Sequence, residues 1–163
     1  MLSHRVNARN RTLIKRLQVS LMLLNRVRSL LEDLLREFHD QDFRSLLSHY
    51  DFPVSLTIEG REVQMNRPRE FEALLRAHAA SHVLEDLRNT MFTVSAVEIP
   101  RRGRFRAWVR YHHCDSSGAV ARTSDRIFSL RDRSEHLMIE EVHLTHMPFE
   151  GLRAWQPALR CTA

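Results

Sequence analysis

Apolar and polar residues alternate one for one through Arg104–Cys114. Phe105, Ala107, Val109 and Tyr111 fall on one side, and Arg104, Arg106, Arg110 and His112 on the other, with Trp108 among the polar set. A period of two with one apolar side predicts a strand that buries a single face. Asp115-Ser116-Ser117-Gly118 then predicts a type I turn closed by a glycine at positive φ, with a bulge. The turn decides which residues of the next strand point inward. With Ser116–Gly118 as the loop, Ala121, Thr123, Asp125, Ile127 and Ser129 share the apolar face; a slip of one position replaces them with Arg122, Ser124, Arg126 and Phe128. The first arrangement buries one acid and the second two arginines, so the first is expected. A third strand, Leu137–Met147, follows the polar turn Arg131–His136. Its two faces are equally mixed: Met138, Val142, Leu144 and His146 on one, Leu137, Ile139, Glu141 and His143 on the other. Hydrophobicity chooses neither, and His143 and His146 lie on opposite faces in both.

Upstream the period changes to that of helices. Leu13, Leu17, Leu21, Leu24, Val27, Leu31, Leu34 and Phe38 predict one long helix or two collinear ones, after a polar, basic and frayed stretch over 1–12. A short helix over Asp42–Tyr50 opens on Asp40 or Asp42 as cap, carries Phe43, Leu46, Leu47 and Tyr50, and is stopped by Pro53. Val54–Ile58 and Arg61–Met65 flank Glu59-Gly60 as a small hairpin. A helix starting near Pro68 carries Phe71, Leu74, Leu75, His78 and His82. Met91–Ile99 predicts a strand whose Phe92, Val94 and Ala96 face Tyr111, Val109 and Ala107, so its inward side agrees with that of the next strand. Beyond Pro148 the tail, with Trp155, is irregular.

At 163 residues, 43% of them apolar, the chain has the size and composition of one globular domain. The expected division is a basic N-terminal extension over 1–22, an α+β domain over 23–150 and a C-terminal tail over 151–163. Two cysteines, Cys114 and Cys161, give no disulfide framework and suit a reducing compartment, so a cytoplasmic location is expected; a bacterial source is a separate expectation. The net charge of +5 is unevenly spread. Residues 1–31 hold seven basic residues and no acid, which leaves 18 basic against 20 acidic in the rest. The folded body is therefore not expected to bind nucleic acid. Val19–Leu24 is far too short to cross a bilayer. An arginine-rich start could be an organelle presequence, but its apolar stripe runs on into the domain helix with no small-residue cleavage site. Met22 allows a second account, in which the first 21 residues are an upstream extension that the fold does not need.

The run QDFRSLLSHYDFPVSLTIEGREVQMNRPREFEALLRAH, read as helix, hairpin and helix, and ARTSDRIFSLRDRSEHLMIEEVHLTH, read as the last two strands, resemble the nuclear transport factor 2-like superfamily. That group includes the SnoaL-like polyketide cyclases, ketosteroid isomerase and scytalone dehydratase, and the resemblance covers about Leu30 to Met147. It implies a cone-shaped α+β domain of cystatin-like fold, a curved antiparallel sheet covered by three helices around an apolar pocket. It also implies a homodimer through the outer face of the sheet. In ketosteroid isomerase a pocket acid, a tyrosine and a catalytic base act together. Asp125 falls at or within one residue of the acid, whereas the tyrosine position matches Leu34 or a neighbour and the base matches about Ile58, between Thr57 and Glu59. Such patterns identify a fold rather than an activity.

Three functions follow as expectations. The first is a pocket for a small, mostly apolar ligand, with no specific activity assignable and no cofactor. The second is an isomerase, dehydratase or cyclase in which Asp125 moves a proton, helped by His113 or His146. The third is a dimeric interaction subunit resembling the β subunit of ring-hydroxylating dioxygenases. Tyr50, Phe92, Val94, Val109, Tyr111, Thr123, Ile127 and His78 are the expected pocket lining. His78 and His82 have the spacing of zinc ligands but lack the adjacent glutamate of the metalloprotease motif, and His112 and His113 point to opposite faces of a strand, so no metal is expected. Asp125 also has a purely structural reading, as an acid bonded to Tyr111, Thr123 or an arginine. Arg101, Arg102, Arg104, Arg106 and Arg110 form a row able to hold an anion, or a solvated charged face. No glycine-rich phosphate loop and no nucleophile signature occurs.

Overall fold

The computed structural model describes residues 3–145, with side chains described at Ile14 and from Leu17 onward. His146, Met147, Trp155, Cys161 and the whole expected tail lie outside the described residues. In chain order the elements are α1 (Ser3–His39), α2 (Phe43–Ser48), β1 (Tyr50–Ile58), β2 (Arg61–Met65), α3 (Pro68–Leu84), β3 (Leu87–Val97), β4 (Arg104–Asp115), β5 (Val120–Arg133) and β6 (His136–Leu144). This is the expected order of helices, hairpin, helix and meander. The short helix is capped by Asp42, whose carboxylate accepts the Ser45 N–H at 3.1 Å, and α3 by Glu70, whose Oε2 accepts the backbone N–H groups of Asn66 and Arg67. Pro53 does not end α2, because the chain is already extended from Tyr50.

All six strands share one sheet in the order β2-β1-β6-β5-β4-β3. It is mixed rather than wholly antiparallel, since β1 runs parallel to β6 with Leu56 opposite Val142 and Ile58 opposite Leu144. One face of the sheet carries the core. Phe105, Ala107, Val109, Tyr111, Phe128, Leu130, Ile139, Val142 and Leu56 pack there against Leu23, Val27, Leu30, Leu31 and Leu34 of α1 and Phe71, Leu74 and Leu75 of α3. The apolar stripe of α1 reaches the core only from Leu23; Leu17 and Leu21 upstream are 65% and 63% exposed.

The antiparallel ladders hold four extra residues, Arg88, Ser95, Ala121 and Glu140, and the last three determine which side chains face that core. The turn after β4 is the one expected: Gly118 has φ +82°, its N–H donates to the Asp115 carbonyl, and Asp115 pairs with Ala119. Two residues later Ala121 bulges, so that Cys114 pairs with Val120 but His113 with Arg122. The bulge turns β5 over. Ser124, Arg126, Phe128 and Leu130 point inward, and Thr123, Asp125, Ile127 and Ser129 outward, the reverse of the expected set. Burying Phe128 and Leu130 contributes about 1.5–3 kcal/mol each. That outweighs the partial desolvation of Arg126, whose guanidinium lies 4.4 Å from the centre of the Tyr111 ring. In β3, Phe92 and Val94 do oppose Tyr111 and Val109, but a bulge at Ser95 moves Ala96 opposite Trp108 and brings Val97 to Ala107. In β6 a bulge at Glu140 switches sides mid-strand, so Leu137 and Ile139 are buried before it and Val142 and Leu144 after it. No single alternation describes such a strand.

Candidate functional site

The inner face of β4 and β5 and the end of α3 bring three imidazoles and one guanidinium together. His78 and His82, one turn apart on α3, stack edge to face at 4.8 Å, and Phe38 of α1 closes on both at 5.0 and 5.4 Å. His82 continues to His113 of β4 at 5.3 Å. Both ring nitrogens of His113 have hydroxyl partners, Thr90 Oγ1 at 3.1 Å on Nδ1 and Ser124 Oγ at 3.0 Å on Nε2. Arg126 lies over Tyr111 beside them. Its Nε is buried with no acceptor, and among the described residues no carboxylate forms an ion pair with it.

This charge and the surrounding apolar wall set the protonation of the cluster. Burial, reinforced by the Arg126 charge, holds His78 well below the usual imidazole range, His82 at about 4 and His113 at about 3. The three rings are therefore neutral at physiological pH. Burial also pushes the Tyr50 and Tyr111 hydroxyls up, so they stay protonated. The result is a cation amid neutral donors and acceptors. Among the described residues no group of three ligating side chains is placed to hold a metal ion.

Two cavities of about 50 and 60 Å³ flank Arg126, with Tyr50, Leu75 and His78 bordering both. They are too small for a drug-sized molecule, each holding about one or two waters. The first shares Leu35, Phe38, His82 and Thr90 with an open vestibule of about 440 Å³ that continues along Ala79, Val83 and Leu87. The mouth is mixed, with Arg36, His39, Gln41, Arg88 and Asn89 beside Leu35, Phe38, Ala79 and Val83, and it shares a wall with the cavity at Arg126.

Of the expected site residues, His78, Tyr50, Tyr111 and His113 meet here, with Val109 in the same core and Phe92 and Val94 packed at its edge. Three expectations are corrected by the bulge at Ala121. Asp125 lies on the outer face, its carboxylate gripped by Arg110 at 2.7 and 2.9 Å, and Thr123 and Ile127 are on that face with it. His146 lies outside the described residues. Arg126 and Ser124 escape sequence reasoning because they belong to the register that the count of buried charges disfavours. Thr90 escapes it because β3 begins at Leu87, four residues earlier than its alternation begins. Three of the five arginines of the row are engaged in pairs, Arg104 with Glu140, Arg106 with Glu98 and Arg110 with Asp125.

No family model matches the sequence, and no curated protein does. Solved structures match in fold. Aln2 from a Streptomyces species is 16% identical over 83% of this chain and 96% of its own, with a TM-score of 0.59. An NTF-2 like protein of unknown function from Shewanella oneidensis is 14% identical over 74% of this chain and 97% of its own, with a TM-score of 0.58. A domain of unknown function with a cystatin-like fold from Nostoc punctiforme is 13% identical over 81% of this chain and 82% of its own, with a TM-score of 0.57. The fold is therefore the nuclear transport factor 2-like, cystatin-like one, and no specific activity comes with it.

Proposed function

We propose that this nuclear transport factor 2-like chain binds a small, mostly apolar molecule that carries one carboxylate. The observation behind this is Arg126, a guanidinium turned to the inside of the fold with no carboxylate among the described residues to neutralise it. Desolvating a charge without a partner is unfavourable, and an anion entering from the vestibule removes that penalty with charge-assisted hydrogen bonds. The ligand's apolar body would rest on Phe38, Leu35 and Val83 in the vestibule, and its head would pass His82 and Thr90. Binding is favoured over acid–base catalysis for two reasons. Asp125 is held outside by Arg110, and His113, at about 3 and bonded at both nitrogens, is a poor base near neutral pH.

The test is a thermal-shift panel at neutral pH comparing benzoate, phenylacetate and octanoate with the corresponding amides. Carboxylates are expected to raise the melting temperature, by about 2.7 kcal/mol of stability at a hundredfold excess over Kd, and the amides to leave it unchanged. Arg126→Met should weaken carboxylate binding about ten- to a hundredfold, the worth of a charged hydrogen bond. Asp125→Asn, on the outer face of the sheet where it pairs with Arg110, should leave it intact. Equal responses to acids and amides would remove the carboxylate from the proposal.

The homodimer expected from the resemblance also rests on an observation. Trp108 and Ile127 are paired neighbours on the outer face, framed by the Arg106–Glu98 and Arg110–Asp125 pairs. A half-buried tryptophan within an ordered charged rim has the composition of an interface centre. Solution mass by light scattering reads it directly: wild type at twice the chain mass and Trp108→Glu at one. Wild type at one chain mass ends the idea.

A further inference from the structure

We propose that the N-terminal half of α1 is a membrane-surface helix, lying on an anionic phospholipid bilayer with Ile14, Leu17 and Leu21 against the acyl boundary. The helix carries two apolar stripes, not one. Leu23, Val27, Leu30, Leu31 and Leu34 form the stripe that packs on the sheet. Carried upstream at intervals of four and three, that stripe would meet Val19 or Ser20 and then Arg16, and it stops being apolar. A second stripe, Ile14, Leu17, Leu21 and Leu24, at intervals of three, four and three, lies beside the first. Ile14 is 54% exposed, Leu17 65% and Leu21 63%, so the body of the protein does not cover it. Its periodicity is as regular as that of the buried stripe, which indicates an apolar partner.

The charge states the nature of that partner. Seven basic residues and no acid lie within 1–31, and among the described ion pairs only Arg26 is engaged, with Asp132 of β5 at 2.7 Å. A second copy of the chain packed along the same stripe would set this excess against itself. An anionic surface complements it, and a basic helix with leucines on one side is the form that binds such a surface. A protein groove that encloses a helix would have to wrap it on all sides, and from Leu23 onward one side is already occupied by the sheet. A plane needs only the exposed side. No helix among the described residues is long and apolar enough to cross the bilayer, so the association is along its surface.

The experiment is co-sedimentation of the full chain with vesicles of phosphatidylcholine alone or mixed with phosphatidylserine. Binding is expected to the mixed vesicles, reduced about tenfold or more when salt rises from about 0.1 M to about 1 M, because the screening length shortens from about 10 Å to about 3 Å. Leu17→Glu/Leu21→Glu should abolish binding while keeping the melting temperature, since both side chains are exposed. Circular dichroism should show no loss of helix on the mixed vesicles. Equal binding to both vesicle types, or binding unchanged in the double variant, overturns the proposal. So does absence of vesicle binding, whether light scattering then shows a dimer that the double variant dissociates or calcium-loaded calmodulin, as an acidic groove, captures the helix instead.

Discussion

Replacing Arg126 by methionine is expected to raise the melting temperature of the unliganded protein while weakening its carboxylate binding about ten- to a hundredfold. Methionine fills nearly the same path along Tyr111 and loses no hydrogen bond at Nε, because that atom has no acceptor among the described residues. What is removed is a partly desolvated charge without an ion-pair partner among the described residues. Set against it is the contact with Tyr111, worth about 1–2 kcal/mol. Buried charges replaced by apolar groups of similar volume commonly leave a protein about 1–4 kcal/mol more stable, and the partial exposure of Arg126 puts the expected gain at about 1 kcal/mol, or about 2–4 °C at this size. Arg126→Lys is the comparison that separates charge from volume. It keeps the cation, so it should show no gain in stability and should retain part of the carboxylate response. A stabilised variant with weakened ligand binding is the usual signature of a residue kept for function. A loss of several degrees in Arg126→Met, with carboxylate binding unchanged, would instead make the guanidinium a structural group.

Acid should unfold the protein through the same cluster. His78, His82 and His113 are neutral in the folded state because burial, and secondarily Arg126, hold their protons off, while in the unfolded chain they titrate near the ordinary 6.5. Above about pH 6.5 neither state binds these protons and the cluster costs nothing. As pH falls below that value the unfolded chain takes up protons that the folded one refuses, and stability falls by about 1.4 kcal/mol per pH unit for each histidine. The loss continues to about pH 4 for His82 and about pH 3 for His113. Between about pH 6.5 and 5 the three together amount to roughly 6 kcal/mol, comparable to the whole stability of many domains. Denaturant midpoints measured from about pH 7.5 to 4.5 should therefore be flat above about 6.5 and fall steeply below it. His82→Phe, which keeps an aromatic ring against Phe38 and His78, should shallow that slope by about a third. Arg126→Met should leave the onset at about 6.5 and end the fall at a higher pH, because removing a positive charge that opposes protonation raises the folded-state values. A midpoint independent of pH from about 7.5 to 5 would mean that the three rings are hydrated and carry ordinary pKa values.

The fold is legible in the sequence wherever one periodicity holds for a whole element. Phe105, Ala107, Val109 and Tyr111 announce β4 and its inward face, Glu59-Gly60 the hairpin, Pro68 the start of α3, and Asp42 the cap of α2. Gly118 announces its turn, and the turn forms as read. Four single-residue bulges, at Arg88, Ser95, Ala121 and Glu140, are not legible. Ala121 carries no signal of its own, being a small residue beside a turn, yet it reverses every side chain from Arg122 onward. Asp125 therefore reads as an interior acid and Arg126 as an outer residue, so the proton-transfer alternative is built on a carboxylate that lies outside, and the guanidinium inside is overlooked. A choice between registers that weighs charges alone leaves out Phe128 and Leu130, whose burial decides the matter. The two mixed faces of β6 are themselves a signal, since a strand that fits neither alternation is one that changes sides, as Glu140 makes it do. The histidine pair on α3 is visible from spacing alone. That His113 meets it is not, because the meeting depends on where α3 crosses the sheet.

The most direct test of an anion-receiving interior is a crystal structure with 4-bromobenzoate, whose bromine can be located by anomalous scattering independently of the protein phases. The carboxylate is expected on the Arg126 guanidinium between His82 and Tyr111, and the bromine in the vestibule near Phe38 and Val83. Bromobenzoate bound at Arg110 on the outer face, with Asp125 turned inward in its place, would contradict both the register of β5 and the function drawn from it.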